Sequence, residues 1–202
     1  MLSIKDLSVV FRTRKGEVNA VRGISLNVGK GETLGIVGES GSGKSVTSYA
    51  LMRILDAGGE IRTGDLTYSG IDLRAASEKD MRDVRGREIS MIFQNPRAAL
   101  NPIRRVGHQV EDVLIRHAQA TRQDAKAKAI AALEAVKIND PEARYSAYPF
   151  ELSGGMCQRI VIAIALACKP KLLIADEPTT GLDITTQKAV MDLVGDLTQE
   201  RG

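Results

Sequence analysis

Apolar and polar positions change their spacing several times along this chain, and each change predicts an element. Near the start, "ISLNV" sets Ile24, Leu26 and Val28 against polar neighbours, the two-residue period of a half-buried strand, and Gly29 to Gly31 closes it as a turn. "TLGIV", Thr33 to Val37, is a short apolar run that predicts a buried strand. A glycine-rich loop follows, after which Val46, Ala50, Leu51, Ile54 and Leu55 fall on helical spacing. "DLTYSG" and "REISMIFQ" predict two further strands, with the charged "SEKDMRDV" helical between them. From Asn95 to about Phe150 the pattern is helical alone, in "VGHQVEDVLIRHA" and "RQDAKAKAIAALEAVKI", and reads as a helical insertion. A helix from about Gly154 to Ala167, the strand "KLLIA" and a helix from about Ile184 to Gln199 complete the chain. Strands alternating with helices predict an α/β fold with a largely parallel sheet.

Composition narrows the class. At 202 residues the chain can bury one sizeable core, with or without an inserted subdomain. Lysine and arginine exceed aspartate and glutamate by 28 to 25, too slight an excess to argue for a nucleic-acid partner. Cys157 and Cys168 lack metal-ligand spacing and read as buried thiols in a reducing compartment. The longest apolar run, Ile160 to Cys168, is about half of a membrane span, and charges interrupt the N-terminus where a signal peptide needs an apolar block. These features predict a cytosolic chain, unless another protein holds it elsewhere.

The candidate chemistry begins with "GESGSGKS", Gly38 to Ser45, which fits G-x-x-x-x-G-K-[ST]. Gly38, Gly41 and Gly43 let the backbone wrap with its N–H groups inward, an anion cradle at a helix start that also takes in Glu39, Ser40, Ser42 and Val46. Lys44 can reach the β- and γ-phosphates of ATP, and the Ser45 hydroxyl can ligate Mg²⁺. The strand "KLLIA" then places Asp176 at its carboxyl end, where open α/β sheets bind ligands, as a Mg²⁺ holder acting through water. Adjacent strand residues point to opposite faces, so Glu177 is left to orient and polarise the water that attacks the γ-phosphate. "LSGGM" opens another helix with unpaired amides. Ser153 is either a simple N-cap with Gly154 and Gly155 as hinges, or all three face a second phosphate, that of another copy.

The ordered set "GESGSGKS", "FQNP", "LSGGMCQR", "LLIADE" and "TGLD" resembles the nucleotide-binding subunit of ABC transporters over essentially the whole chain. The resemblance implies a phosphate-loop ATPase core with an N-terminal antiparallel β subdomain and a helical subdomain insertion. It divides one domain into 1–93 (β subdomain and phosphate-loop part), 94–160 (helical subdomain with signature) and 161–202 (Walker B part). It also implies a head-to-tail dimer in which each ATP lies between one phosphate loop and the other subunit's signature, Ser153, Gly154 and Gly155. Gln94 matches the glutamine-loop residue, placed near Mg²⁺ and the attacking water. Asp183 matches the loop that crosses the dimer interface, and Phe11 the aromatic stacked on adenine; an inward-facing strand role serves Phe11 equally. Met156 stands where glutamine is commoner.

"FQNPRAALNPIRRVGHQV" and "YPFELSGGMCQR" look like the ATPase components of importers for dipeptides, oligopeptides, glutathione or nickel. Implied partners are integral-membrane permease subunits, a second ATPase subunit and, indirectly, a solute-binding protein, at the cytoplasmic face of the inner membrane. Arg97, Arg104 and Arg105 read equally as a solvated basic face or as part of the permease contact. The family's switch histidine belongs about thirty residues past the Walker B acids. His108 and His117 lie in the helical insertion, at expected surface positions, and cannot be it. The expectation is therefore an N-terminal fragment whose central sheet has a gap and which hydrolyses ATP poorly. Two rivals stand beside the importer: a soluble ABC-type ATPase outside transport, and a nucleotide-binding fragment with little hydrolysis.

Overall fold

In the computed structural model, which describes residues 1–118, 120–180 and 182–199, the alternating N-terminal stretch forms a hairpin of β1 (Leu2–Thr13) and β2 (Gly16–Val28). After the glycine-rich loop comes helix α1 (Lys44–Met52), then β3 (Gly59–Tyr68), the two-residue β4 (Ile71–Asp72) and α2 (Glu78–Val84). The strands form an antiparallel sheet in the order β2-β1-β3-β4. Contacts divide the chain into two compact units, Met1–Arg82 and Asp83–Gly202, and this sheet belongs to the first.

Burial along β1 changes phase partway. Leu2 and Ile4 are buried, then Leu7 and Val9, because Asp6 sits in the left-handed region (φ +49°) and inserts one residue. Both neighbouring strands make room for the bulge with glycine. A Cβ on Gly23 would lie 2.9 Å from Asp6 Oδ1, and one on Gly64, at φ +105°, only 2.6 Å from Leu7 Cα. Leu66, Tyr68 and, from α1, Ala50, Leu51 and Met52 are among the other buried positions of this layer, with α1 packed on β1 and β2.

The segment "TLGIV" departs from its prediction. Residues 32–39 form no strand, and Leu34, Ile36 and Val37 are 43%, 50% and 97% exposed. An apolar run becomes a strand only when ladders satisfy its backbone groups, and none forms on it among the described residues.

The second unit holds β5 (Ile89–Ile92), α3 (Pro96–Ala99), α4 (Val106–His117), α5 (Ala125–Ala135), α6 (Pro141–Tyr145), α7 (Gly154–Leu166), β6 (Leu172–Ala175) and α8 (Ile184–Gln199). The stretch read as a helical insertion thus forms helices and no strand, and α7, which follows it, is largely enclosed: Cys157, Gln158, Ile160, Val161, Ile162, Ala163, Ala165 and Leu166 are all buried. Val110 and Leu114 of α4 and Ala129 and Leu133 of α5 belong to the same core. α6 is fastened by Tyr145, whose ring lies over Gly107, where a Cβ would meet Tyr145 Cδ2 at 2.1 Å, and whose hydroxyl donates to Glu111 Oε1 at 2.6 Å. Burial and the Glu111 carboxylate push the Tyr145 hydroxyl up to about 12.

Two minor expectations need correcting. His108 stacks edge-on against Tyr145 (5.5 Å between ring centres) and His117 covers Gly86, so both are half-buried packing residues instead of surface ones. Cys157 is buried as expected, but Cys168 is only half-buried. No helix among the described residues is long and apolar enough to cross a membrane.

Candidate nucleotide site

In the first unit, the glycine loop closes beneath β2. The register of β1 on β2 passes from Val9↔Val21 to Val10↔Asn19 and skips Ala20, whose carbonyl oxygen lies 2.5 Å from where a Gly43 Cβ would be. Gly43 is the N-cap of α1 at φ +92°, a conformation and a closeness that only glycine tolerates. Lys44 Nζ reaches back across the whole loop, donating to the carbonyls of Gly38 at 2.7 Å and Glu39 at 3.0 Å, while Ser42 N donates to Glu39 O at 3.2 Å. Glu39, Ser40, Gly41 and Ser42 are exposed, and Ser45 and Val46 stand in the first helical turn. A glycine-rich turn at a helix start, with an ammonium folded over it, suits a polyphosphate. Phe11 is half-buried on β1, paired with Val18, and its ring covers Gly59, where a Cβ would meet Cε1 at 2.7 Å. The ring thus has a packing partner on β3.

In the second unit, β5 and β6 pair in parallel, Ile89 to Ile92 against Leu172 to Ala175. Asp176 N extends the ladder by donating to Ile92 O at 3.0 Å. Counting on in that register, Gln94 falls opposite Glu177, and Gln94 Nε2 donates to Glu177 Oε2 at 2.6 Å. Two residues from motifs 83 positions apart therefore meet because their strands end level. Thr180 Oγ1 donates to the same oxygen at 3.0 Å, and its backbone N–H closes the turn onto Glu177 O. Glu177 itself is held at φ +45°, past the end of the strand. Asp176 is buried beside it, 5% exposed.

The signature segment opens α7. Ser153 is its N-cap: Oγ accepts from Met156 N at 3.2 Å, the ordinary capping role. Gly155 faces α8 closely, and a Cβ there would lie 2.9 Å from Thr186 Cγ2; Gly154 meets only Leu182, at 4.0 Å. Asp183 caps α8, accepting from Thr186 N at 3.0 Å and Thr186 Oγ1 at 2.6 Å, and these bonds hold its carboxyl below the usual aspartate range. Just ahead of the signature, Arg97 of α3 donates to Leu152 O at 3.0 Å. Arg104 pairs with Asp112 at 2.6 Å, and Arg105 lies over the Tyr148 ring.

Thr180, Thr186 and the Arg97 bond go beyond the motif reading. A threonine three residues after an acid, or three into a helix capped by aspartate, is the signal that finds the first two. No local pattern announces the third.

The donor set tests for Mg²⁺. Among the described residues no group of three or more His, Cys, Asp or Glu gathers into a metal cage. The Ser45 hydroxyl in the first unit, and in the second the Asp176 carboxylate and the Gln94 amide oxygen, are each hard oxygen donors of the kind Mg²⁺ accepts.

Comparison with known proteins joins these features. The ABC transporter family profile matches residues 21–180. The chain is 52% identical over 198 residues to the oligopeptide transport ATP-binding protein OppD of Bacillus subtilis, covering 98% of this chain and 55% of that one. It is 48% identical over 195 residues to the probable D,D-dipeptide transport ATP-binding protein DdpD of Escherichia coli, covering 96% and 60%. It thus spans a little over half the length of these relatives. Among solved structures, the dimeric post-hydrolysis state of the ATP-binding cassette MJ0796 bound to ADP and Pi superposes with a TM-score of 0.88 at 27% identity, covering all of this chain and 84% of that one. By the family profile over residues 21–180 and these identities, this chain, with its glycine loop, level strand ends and capped signature helix, belongs to the ABC transporter family.

Proposed function

We propose that this chain is the ATP-binding, ATP-hydrolysing subunit that drives an importer of peptides or a related small solute. The observation that carries the reading is the Gln94–Glu177 hydrogen bond at 2.6 Å beside the buried Asp176. It gathers a carboxylate, an amide and a second carboxylate at one pair of strand ends, the set that phosphoryl transfer to water needs. Lys44 and the amides of Gly38 to Val46 bind the phosphates, and Phe11 stacks on the base. Ser45, Asp176 and Gln94 would hold Mg²⁺, which supplies charge neutralisation at the phosphates. Glu177 accepts a proton from the attacking water as the water oxygen bonds to the γ-phosphorus and the bond to the bridging oxygen breaks, releasing ADP, with Gln94 fixing the carboxylate. Ser153, Gly154, Gly155 and Asp183 serve the nucleotide of a second subunit in a head-to-tail pair. The subdomains run 1–93, 94–160 and 161–202, with the helical one toward permease subunits at the cytoplasmic face of the membrane. The peptide-type solute rests on the names of the relatives that match.

The exposed apolar run at residues 33–37 favours a second reading, in which the chain binds nucleotide but turns it over slowly. Equilibrium binding of Mg·ATP to this chain and to Lys44→Ala tests the first. Binding that the variant weakens roughly 10–100-fold supports a working phosphate loop. Equal binding by both would overturn it. Measured hydrolysis then separates the two readings.

A further inference from the structure

Thr186 touches two functional segments at once. Its Cγ2 methyl occupies the space beside Gly155, where a Cβ would come within 2.9 Å, and its hydroxyl donates to Asp183 Oδ2 at 2.6 Å. The two contacts are coupled through one torsion. A threonine has a single χ1, so turning the methyl away from position 155 also carries Oγ1 off Asp183. The backbone N–H of Thr186 binds Asp183 Oδ1, which fixes the carboxylate from its other oxygen.

We infer that Thr186 is a positioning residue that joins the signature turn to Asp183, and that position 155 is glycine because α8 packs against it. The inference rests on the proposed sandwich only for its functional consequence. Signature and Asp183 then move as one piece, so a nucleotide felt at the first is reported to the second.

A size swap tests this. Gly155→Ala forces Thr186 either to rotate, breaking its bond to Asp183, or to push α8 from α7. Its melting temperature should fall by roughly 3–8 °C. Thr186→Ser removes Cγ2 and keeps the hydroxyl, so the double variant Gly155→Ala/Thr186→Ser should melt close to Thr186→Ser alone. A Gly155→Ala protein as stable as the parent, or a double variant no better than Gly155→Ala, overturns the contact. The functional arm adds Glu177→Gln to each protein and measures ATP-dependent pairing by sedimentation. Pairing lost in Gly155→Ala and regained in the double variant supports the joint. Stability regained without pairing overturns it, since the glycine would then be needed for close approach of the phosphate. A Glu177→Gln parent that never pairs sinks the sandwich reading, while the melting series still decides the contact.

Discussion

At the scale of single residues, the most consequential bonds lie between side chains that no local pattern connects. Gln94 and Glu177 were each legible as motif residues, but their meeting depends on β5 and β6 ending level, a property of register. Thr180 shares the same carboxylate oxygen, and its place three residues after Glu177 is a local signal, unlike that of Gln94. Tyr145 offers a residue-scale prediction. Its hydroxyl is pushed up to about 12 by burial and Glu111, whereas an unfolded tyrosine ionises near 10. Below pH 10 both states keep the proton and the contribution is intact. As pH rises from about 10 to about 12 only the unfolded state releases it, so stability should fall there by on the order of 1–2 kcal/mol. Urea unfolding at pH 9 and pH 11.5 should show this drop in the parent and a smaller one in Tyr145→Phe.

At the scale of elements, periodicity located α1, α4, α5, α7, α8, β5 and β6 to within a few residues, because each carries a contiguous or helically spaced set of apolar residues. It failed at residues 33–37, where apolar composition predicted burial and Val37 is 97% exposed. Composition shows that a segment can be a strand; only a neighbouring ladder makes it one. Neither could alternation foresee the bulge at Asp6, since the phase change in β1 depends on glycines more than fifteen residues away in β2 and β3. That dependence is testable. Gly64→Ala would set a Cβ 2.6 Å from Leu7 Cα in a backbone conformation alanine resists. It should cost about 2–4 kcal/mol, read as a lowered urea midpoint. A loss under about 0.5 kcal/mol would mean the bulge can relax.

At the scale of the whole molecule, the resemblance read from five short motifs agrees with both the family match and the superposition on a cassette. What the motifs carried was the order of chemical groups along the chain; what they could not carry was which backbone groups find partners. The bare run from Thr33 to Val37 has a consequence for handling the protein. Leu34, Ile36 and Val37 offer apolar side chains on a backbone that forms no ladder among the described residues, so two copies can pair edge to edge there. Light scattering should rise with protein concentration, and Val37→Asp should suppress it by charge repulsion without lowering the melting temperature. On this view the stretch feeding the phosphate loop also limits the chain's colloidal solubility.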